Sequence, residues 1–288
     1  MPASVTLAVL GAAITHAIWN ALAHRIKDQV VSFALIGIGS IVVAIPLIVV
    51  AAMPRGGAWP FLAASAAIHV FYMLFLMRSF TLGDFGQVYP VARGTSPLVV
   101  TVLAAAFLAE WPTAAQLAGV LVISAGMAVL VLAGRRGDGG GGGGRGGTPS
   151  RAALLAAFAT GLTIAAYTVV DGTGVRRSGS PVGYIAWLML LTGLGVPAWA
   201  AVRRRRELRA APRAILASGL AAGALSVLAY GLVLWAQTRG ALAPIAALRE
   251  TSVIFGALIA TLAFREPFGR ARIAAAVVVA AGIVILSL

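Results

Sequence analysis

The sequence predicts an all-α integral membrane protein, with ten transmembrane helices arranged as two inverted five-helix repeats. Three observations predict it. The 288 residues are 60% hydrophobic and 10% charged, where a soluble domain carries about 25% charged residues. The apolar residues gather into ten blocks, each near the roughly 20 residues that a helix needs to cross a hydrocarbon core. The second half of the chain repeats the first.

The blocks cover residues 4–24, 31–53, 58–80, 85–109, 113–134, 151–171, 181–202, 213–236, 241–264 and 269–288. All are too long for barrel strands, which alternate over about 10 residues. The opening "MPASVTLAVL" has no basic stretch before its apolar run, so it reads as part of the first span rather than a cleaved leader. "GDGGGGGGRGG" (Gly137 to Gly147) cannot hold one backbone conformation and reads as a flexible linker. The expected organisation is a first repeat over 1–134, a linker over 135–150 and a second repeat over 151–288.

Sliding the fourth and fifth blocks by 156 positions lays "VARGTSPLV" on "ALRETSVIF" without a gap. Arg93 meets Arg249, Thr95 meets Thr251, Ser96 meets Ser252, Glu110 meets Glu266 and Gly126 meets Gly282. At the starts of the halves the offset is 151, and His16 meets Tyr167, Asn20 meets Asp171 and Arg25 meets Arg176. Tyr72 of the third block matches Tyr230 of the eighth. Five is an odd number, so tandem five-helix units insert with opposite orientation. Inverted repeats of this kind build many secondary transporters, with the substrate site near the midplane between them.

The net charge of +14 falls mostly at helix ends, as in "RRRRELRAAPR" (Arg203 to Arg213). That placement suits anchoring against anionic headgroups rather than binding nucleic acid. Loops after odd-numbered spans hold 16 of the 22 Lys and Arg residues, and loops after even-numbered spans hold four. The remaining two are Arg93 and Arg249, well inside spans. With no cysteine in the chain, disulfides and thiolate metal sites are excluded. No P-loop is present, so direct ATP drive, and with it a nucleotide cofactor, is not expected.

The five-plus-five arrangement, the glutamate turn after each fourth helix ("LAEWPT", "FREPFG") and the small-residue fifth helix resemble the drug/metabolite transporter superfamily in its EamA-domain branch. "HAIWN", "VYPVARG" and "ALRETS" are similar to a bacterial group within that branch. The resemblance implies a multi-pass protein of the bacterial cytoplasmic membrane, with a central cavity lined by helices 1, 3, 4, 6, 8 and 9. It also implies cytoplasmic termini. The positive-inside rule applied to the loop charges gives the opposite orientation, and the sequence leaves the two readings open.

Helical spacing sorts the polar residues of those spans into faces. His16, Trp19 and Asn20 share one face of the first span, and His69 and Tyr72 one face of the third. Tyr89, Arg93 and Ser96 line one stripe of the fourth. Thr163, Tyr167 and Asp171 line one of the sixth, and Arg249, Ser252 and Gly256 one of the ninth. With Tyr230 on the eighth, these make up the candidate substrate-binding set: Arg93, Arg249, His16, Trp19, Asn20, Tyr72, Tyr89, Ser96, Tyr167, Tyr230 and Ser252. Glu250 and Asp171 are the candidate counter-charge or coupling groups. Pro90, Pro97 and Pro244 mark places where a kink could free carbonyls. Glu110 and Glu266 read as structural turn residues. Trp59, Trp111 and Trp199 read as interface belt residues.

A charge at the bilayer centre costs about 2.5–3.5 kcal/mol, so Arg93, Arg249 and Glu250 together represent a cost on the order of 10 kcal/mol if unpaired. They must face the protein interior or a wet cavity. One alternative is a set of buried ion pairs that only fix helix contacts. A cavity role fits better, because a guanidinium fork binds carboxylate or phosphate with two bonds and stays charged. Neighbours on a helix point about 100° apart, so Arg249 and Glu250 are not expected to aim at one spot.

The leading expectation is a secondary transporter for a small polar metabolite, an amino acid or organic anion, working by alternating access. Its partners are that substrate, the lipid bilayer and protons as the candidate coupling ion, with the protein a monomer or homodimer. No metal site is expected: the three histidines have no metal-pair spacing on one helix. A flippase for a lipid-linked headgroup is the alternative, and a lateral opening between helices would point to it. An intramembrane enzyme or receptor is the remote third reading, since the eight acidic residues are scattered singly.

Overall fold

A computed structural model describes residues 1–24, 26, 28–83, 85–135, 150–264 and 270–287. The glycine-rich run, Arg25 and Glu266 lie outside the described residues. All regular structure among the described residues is helical. The first half forms α1 (Ala3–His24), α2 (Gln29–Val50), α3 (Trp59–Leu82), α4 (Phe85–Leu108) and α5 (Ala114–Arg135). The second half forms α6 (Arg151–Arg177), α7 (Pro181–Arg203), the short α8 (Arg205–Arg209), α9 (Arg213–Gln237), α10 (Leu242–Arg249), α11 (Ser252–Phe264) and α12 (Arg270–Ser287). Seven of the described helices are long and apolar enough to cross a membrane, so the chain is a multi-pass membrane protein.

Local chemistry accounts for four of the helix starts. Asp28 starts α2 by accepting the amides of Val30 and Val31 at 2.9 and 3.1 Å. Ser150 starts α6 by accepting from Ala153 N–H at 3.1 Å. Thr113 and Gln116 form a reciprocal capping box before α5, at 3.1 and 3.2 Å. Pro181 occupies the first position of α7, where a missing N–H costs nothing, and Ser180 caps it.

Two differences from the sequence reading bear on the site. The sixth helix continues to Arg177, beyond the expected end at 171. The ninth block, expected as one helix, is broken at Glu250–Thr251. There the amides of Glu250 and Thr251 bond to carbonyls three residues back, Ala247 and Leu248, at 3.1 and 3.2 Å. The Thr251 hydroxyl also takes the Leu248 carbonyl, at 2.8 Å. In the first repeat Thr95 bonds the Val91 carbonyl four residues back at 2.7 Å, and α4 runs on unbroken through Pro90 and Pro97. The break is thus set by the turn after Arg249 rather than by a proline.

The helices pair in matching sets. α1 packs on α9 and α6 on α3; α2 packs on α7 and α5 on α12; α4 lies against α6, as α10 and α11 lie against α1. The α5–α12 contact is itself reciprocal. A Cβ on Gly126 would stand 2.6 Å from Val279 Cγ2, and one on Gly282 would stand 2.6 Å from Ile123 Cγ1. Ile123 and Val279 are counterparts in the repeat, like the two glycines.

Trp111 and Trp199 are exposed, as belt residues would be. Trp59 differs. It packs edge-on against Trp187, with ring centroids 5.1 Å apart, beside a core that includes Leu62, Tyr184 and Leu188. An apolar cleft of about 490 Å³ opens between α1, α2, α7 and α9, lined by residues such as Ala8, Leu47, Val182, Ile185, Leu228 and Trp235.

Candidate functional site

Arg93 sits in the third turn of α4 and is buried. Each arm of its guanidinium has a partner on a different element or turn. Nε donates to the Tyr89 hydroxyl at 3.1 Å, one turn back. Nη1 lies 3.3 Å from Glu250 Oε2 and 3.4 Å from Oε1. Nη2 stands 2.6 Å from His16 Nε2 on α1. The cluster therefore joins α1 and α4 of one repeat to the broken helix of the other.

The break corrects one expectation. On a continuous helix Arg249 and Glu250 would diverge. Because α10 ends at Arg249, both side chains reach the same place, and Arg249 Nη2 lies 3.6 Å from Glu250 Oε1. Glu250 is fully buried and shared by two guanidinium groups, one from each repeat. Arg249 is only 5% exposed, yet its Nε and Nη2 have no hydrogen-bond partner among the described residues. The hydroxyls of Ser96 and Ser252, which are repeat counterparts, are likewise buried and unpartnered. Two cations and one anion leave the cluster with one formal positive charge in excess.

His16 faces two donors. Trp19 Nε1 approaches its Nδ1 at 3.2 Å, while Arg93 holds its Nε2. A neutral imidazole accepts at one ring nitrogen, and a guanidinium can only donate. His16 therefore answers Arg93 through Nε2, and the Trp19 N–H is a spare donor beside the cluster. The Asn20 amide is occupied by its own helix, donating to the His16 carbonyl at 2.8 Å.

Asp171 belongs to a second cluster. Its carboxyl is fully buried and accepts from the Tyr184 hydroxyl at 2.9 Å and the Tyr230 hydroxyl at 2.6 Å. Beside it, His69 stacks on Tyr167 at 4.3 Å between centroids, and Tyr72 and Tyr230 meet Tyr167 edge-on at 5.8 and 6.2 Å. Tyr167 lies on α6 with Asp171, and α6 packs against α4, which carries Arg93.

The family comparison bears on this geometry. The EamA-like transporter family matches residues 3–132 and 151–288, one match on each side of the glycine-rich run. The chain belongs to the EamA-like transporter family. No curated protein matches it at a significant level. One solved crystal structure of a protein aligns over 99% of this EamA chain and 96% of its own length, with a TM-score of 0.71 and 19% identity. That likeness shows the fold.

Of the residues singled out from the EamA sequence, the structure brings His16, Trp19, Tyr89, Arg93, Arg249 and Glu250 together, and sets Tyr72, Tyr167, Asp171 and Tyr230 in the adjoining group. Among the described residues no three His, Cys, Asp or Glu side chains gather as a metal site. Two residues carry more than the sequence reading assigned. Glu110, read as a turn residue, binds Arg176 and accepts the Leu242 amide at 2.8 Å, across the repeats. In the repeat register Arg176 matches Arg25 and Glu110 matches Glu266, so both stand at recurring charged positions, a pattern that names no contact between them.

Proposed function

We propose that this EamA protein is a secondary transporter, moving a small polar metabolite with an anionic group through a central cavity by alternating access. The reading has ten spans in two inverted five-helix repeats, with the protein in a bacterial cytoplasmic membrane. The observation that carries it is Arg249: a buried guanidinium whose Nε and Nη2 make no hydrogen bond among the described residues, in a cluster with one formal positive charge in excess. A buried cation without full compensation is costly. A carboxylate or phosphate would satisfy Arg249 in a forked geometry, with the Ser96 and Ser252 hydroxyls and the Trp19 N–H as further donors. An amino acid or a small organic anion is the substrate class.

Glu250 holds the place of the anion when substrate is absent. In this reading it is the coupling group. Protonation of Glu250 frees both arginines for substrate, and substrate release restores the ion pairs. The wild-type protein and Arg249→Ala, screened by thermal shift against amino acids, dicarboxylates and phosphate, test the assignment. At least one anionic compound should raise the melting temperature of the wild type and leave the variant unmoved. Stabilisation by cations alone, or an equal response in Arg249→Ala, would sink it.

The apolar cleft between α1, α2, α7 and α9 supports a second reading, a flippase for a lipid-linked headgroup, because it would seat a hydrocarbon tail. Proteoliposomes separate the two: a transporter of free metabolites accumulates a water-soluble anion, and a flippase moves only the lipid-linked form.

A further inference from the structure

Four elements meet on two charged side chains at the end of the bundle where α4 and α6 finish and α10 begins. After α4 the chain turns through Ala109 in the left-handed region, at φ 54°. The Glu110 amide reaches back to the Ala104 carbonyl at 3.1 Å. This turn directs the Glu110 carboxylate towards the second repeat. Its Oε2 accepts the Leu242 N–H at 2.8 Å, and its Oε1 receives Arg176 Nη1. Arg176 directs its other donors to carbonyls, Nε to Gln237 and Nη2 to Gly240, both at 2.7 Å. The clamp therefore ties the α4–α5 turn to the end of α6, the end of α9 and the start of α10.

What it holds is α10. This helix has eight residues, every one buried, with Leu242 at the clamp and Arg249 at the other end. Its length is about 12 Å at 1.5 Å per residue. A carboxylate at its N-terminus also complements the helix dipole. A short buried rod fixed at one end places whatever it carries at the other. Arg249 is its last residue and Glu250 follows directly.

We infer that Glu110 and Arg176 are positioning residues for the substrate cluster. The clamp closes this end of the bundle between the repeats, and through α10 it sets where Arg249 and Glu250 stand. Release of the clamp opens this end and moves the cluster in one step. The inference rests on the transporter reading above and assigns that reading its closure at one membrane face.

The chain contains no cysteine, so one introduced thiol is the only one. Gly256 lies beyond the break on α11, one turn from buried Ser252, and a Cβ there meets nothing within 4 Å. Gly256→Cys is labelled with a membrane-impermeant maleimide applied from each face of sealed vesicles. Ala114→Cys, on the exposed start of α5, identifies the clamp face. Adding Glu110→Gln or Arg176→Gln should speed labelling of the Gly256→Cys thiol about tenfold from the clamp face and leave the rate from the other face unchanged. Arg176→Lys keeps the charge but loses carbonyl contacts, and should give an intermediate rate even if the harsher variants fail to fold. No change from either face, or an equal rise from both, would overturn the inference. Because the labelling uses no substrate, its outcome is independent of whether anions bind Arg249.

Discussion

Arg93 and Glu250 come from opposite repeats, 157 residues apart in sequence, and meet at 3.3 Å in a buried ion pair. Removing one member of such a pair leaves the other uncompensated, at a cost of about 3–5 kcal/mol. Glu250→Gln should lower the thermal stability of purified protein accordingly. The double variant Arg93→Gln/Glu250→Gln should be destabilised by less than the sum of the singles, because only Arg249, and not Arg93 as well, is then left without its carboxylate. Strict additivity in the melting curves would show that the pair is not coupled.

Glu250 also carries the coupling prediction. In proteoliposomes, transport by Glu250→Gln should lose its dependence on a proton gradient while exchange of internal for external substrate persists. Full retention of the gradient dependence would remove Glu250 from the coupling role.

Asp171 makes a separate test. Its two oxygens each accept from one tyrosine, Tyr184 at 2.9 Å and Tyr230 at 2.6 Å. Leaving a buried acceptor without its donor costs about 1–3 kcal/mol. Tyr184→Phe and Tyr230→Phe should each lower the melting temperature, and Asp171→Asn should lower it less than the two tyrosine changes combined. Unaltered melting in both phenylalanine variants would contradict the bonding described.

The α5–α12 contact predicts a matched pair of effects. A Cβ at Gly126 or Gly282 meets a branched side chain at 2.6 Å from the facing helix. Overpacking of this kind costs about 1–3 kcal/mol, so Gly126→Val and Gly282→Val should destabilise by similar amounts. Differential scanning fluorimetry would measure both, and a strong effect at one site with none at the other would break the reciprocity.

Ala109 gives a prediction of opposite sign. An L-residue in the left-handed region carries a penalty of about 1–2 kcal/mol that glycine escapes. Ala109→Gly should therefore leave stability unchanged or raise it, and Ala109→Val should lower it, as read by thermal melting.

Much of this was readable in the residues themselves. Hydropathy located the helices, because a lipid solvent leaves little choice of composition. The repeat register brought Arg93 and Arg249 forward together, since two buried arginines at equivalent places are hard to explain singly. The break after Arg249 was not readable, as neither Gly nor Pro stands at 250 or 251. It follows from a turn of three-residue hydrogen bonds and a threonine hydroxyl competing for a carbonyl. Tyr184 as a donor to Asp171 was also hidden, because its partner lies on another helix. The Glu110 clamp spans 66 residues to Arg176, and nothing local to "LAEWPT" announces a contact across repeats.

Glu250 has no counterpart, because its place in the first repeat is Gly94, and a Cβ there would already stand 3.0 Å from Met127 Cβ. A carrier made of two identical inverted halves would present the same free energy facing either side of the membrane. Unmatched groups such as this buried carboxylate lift that degeneracy. A difference of about 1.4 kcal/mol is a tenfold preference between two states, so under the proposed alternating access the carboxylate at position 250 biases the side on which the empty protein waits.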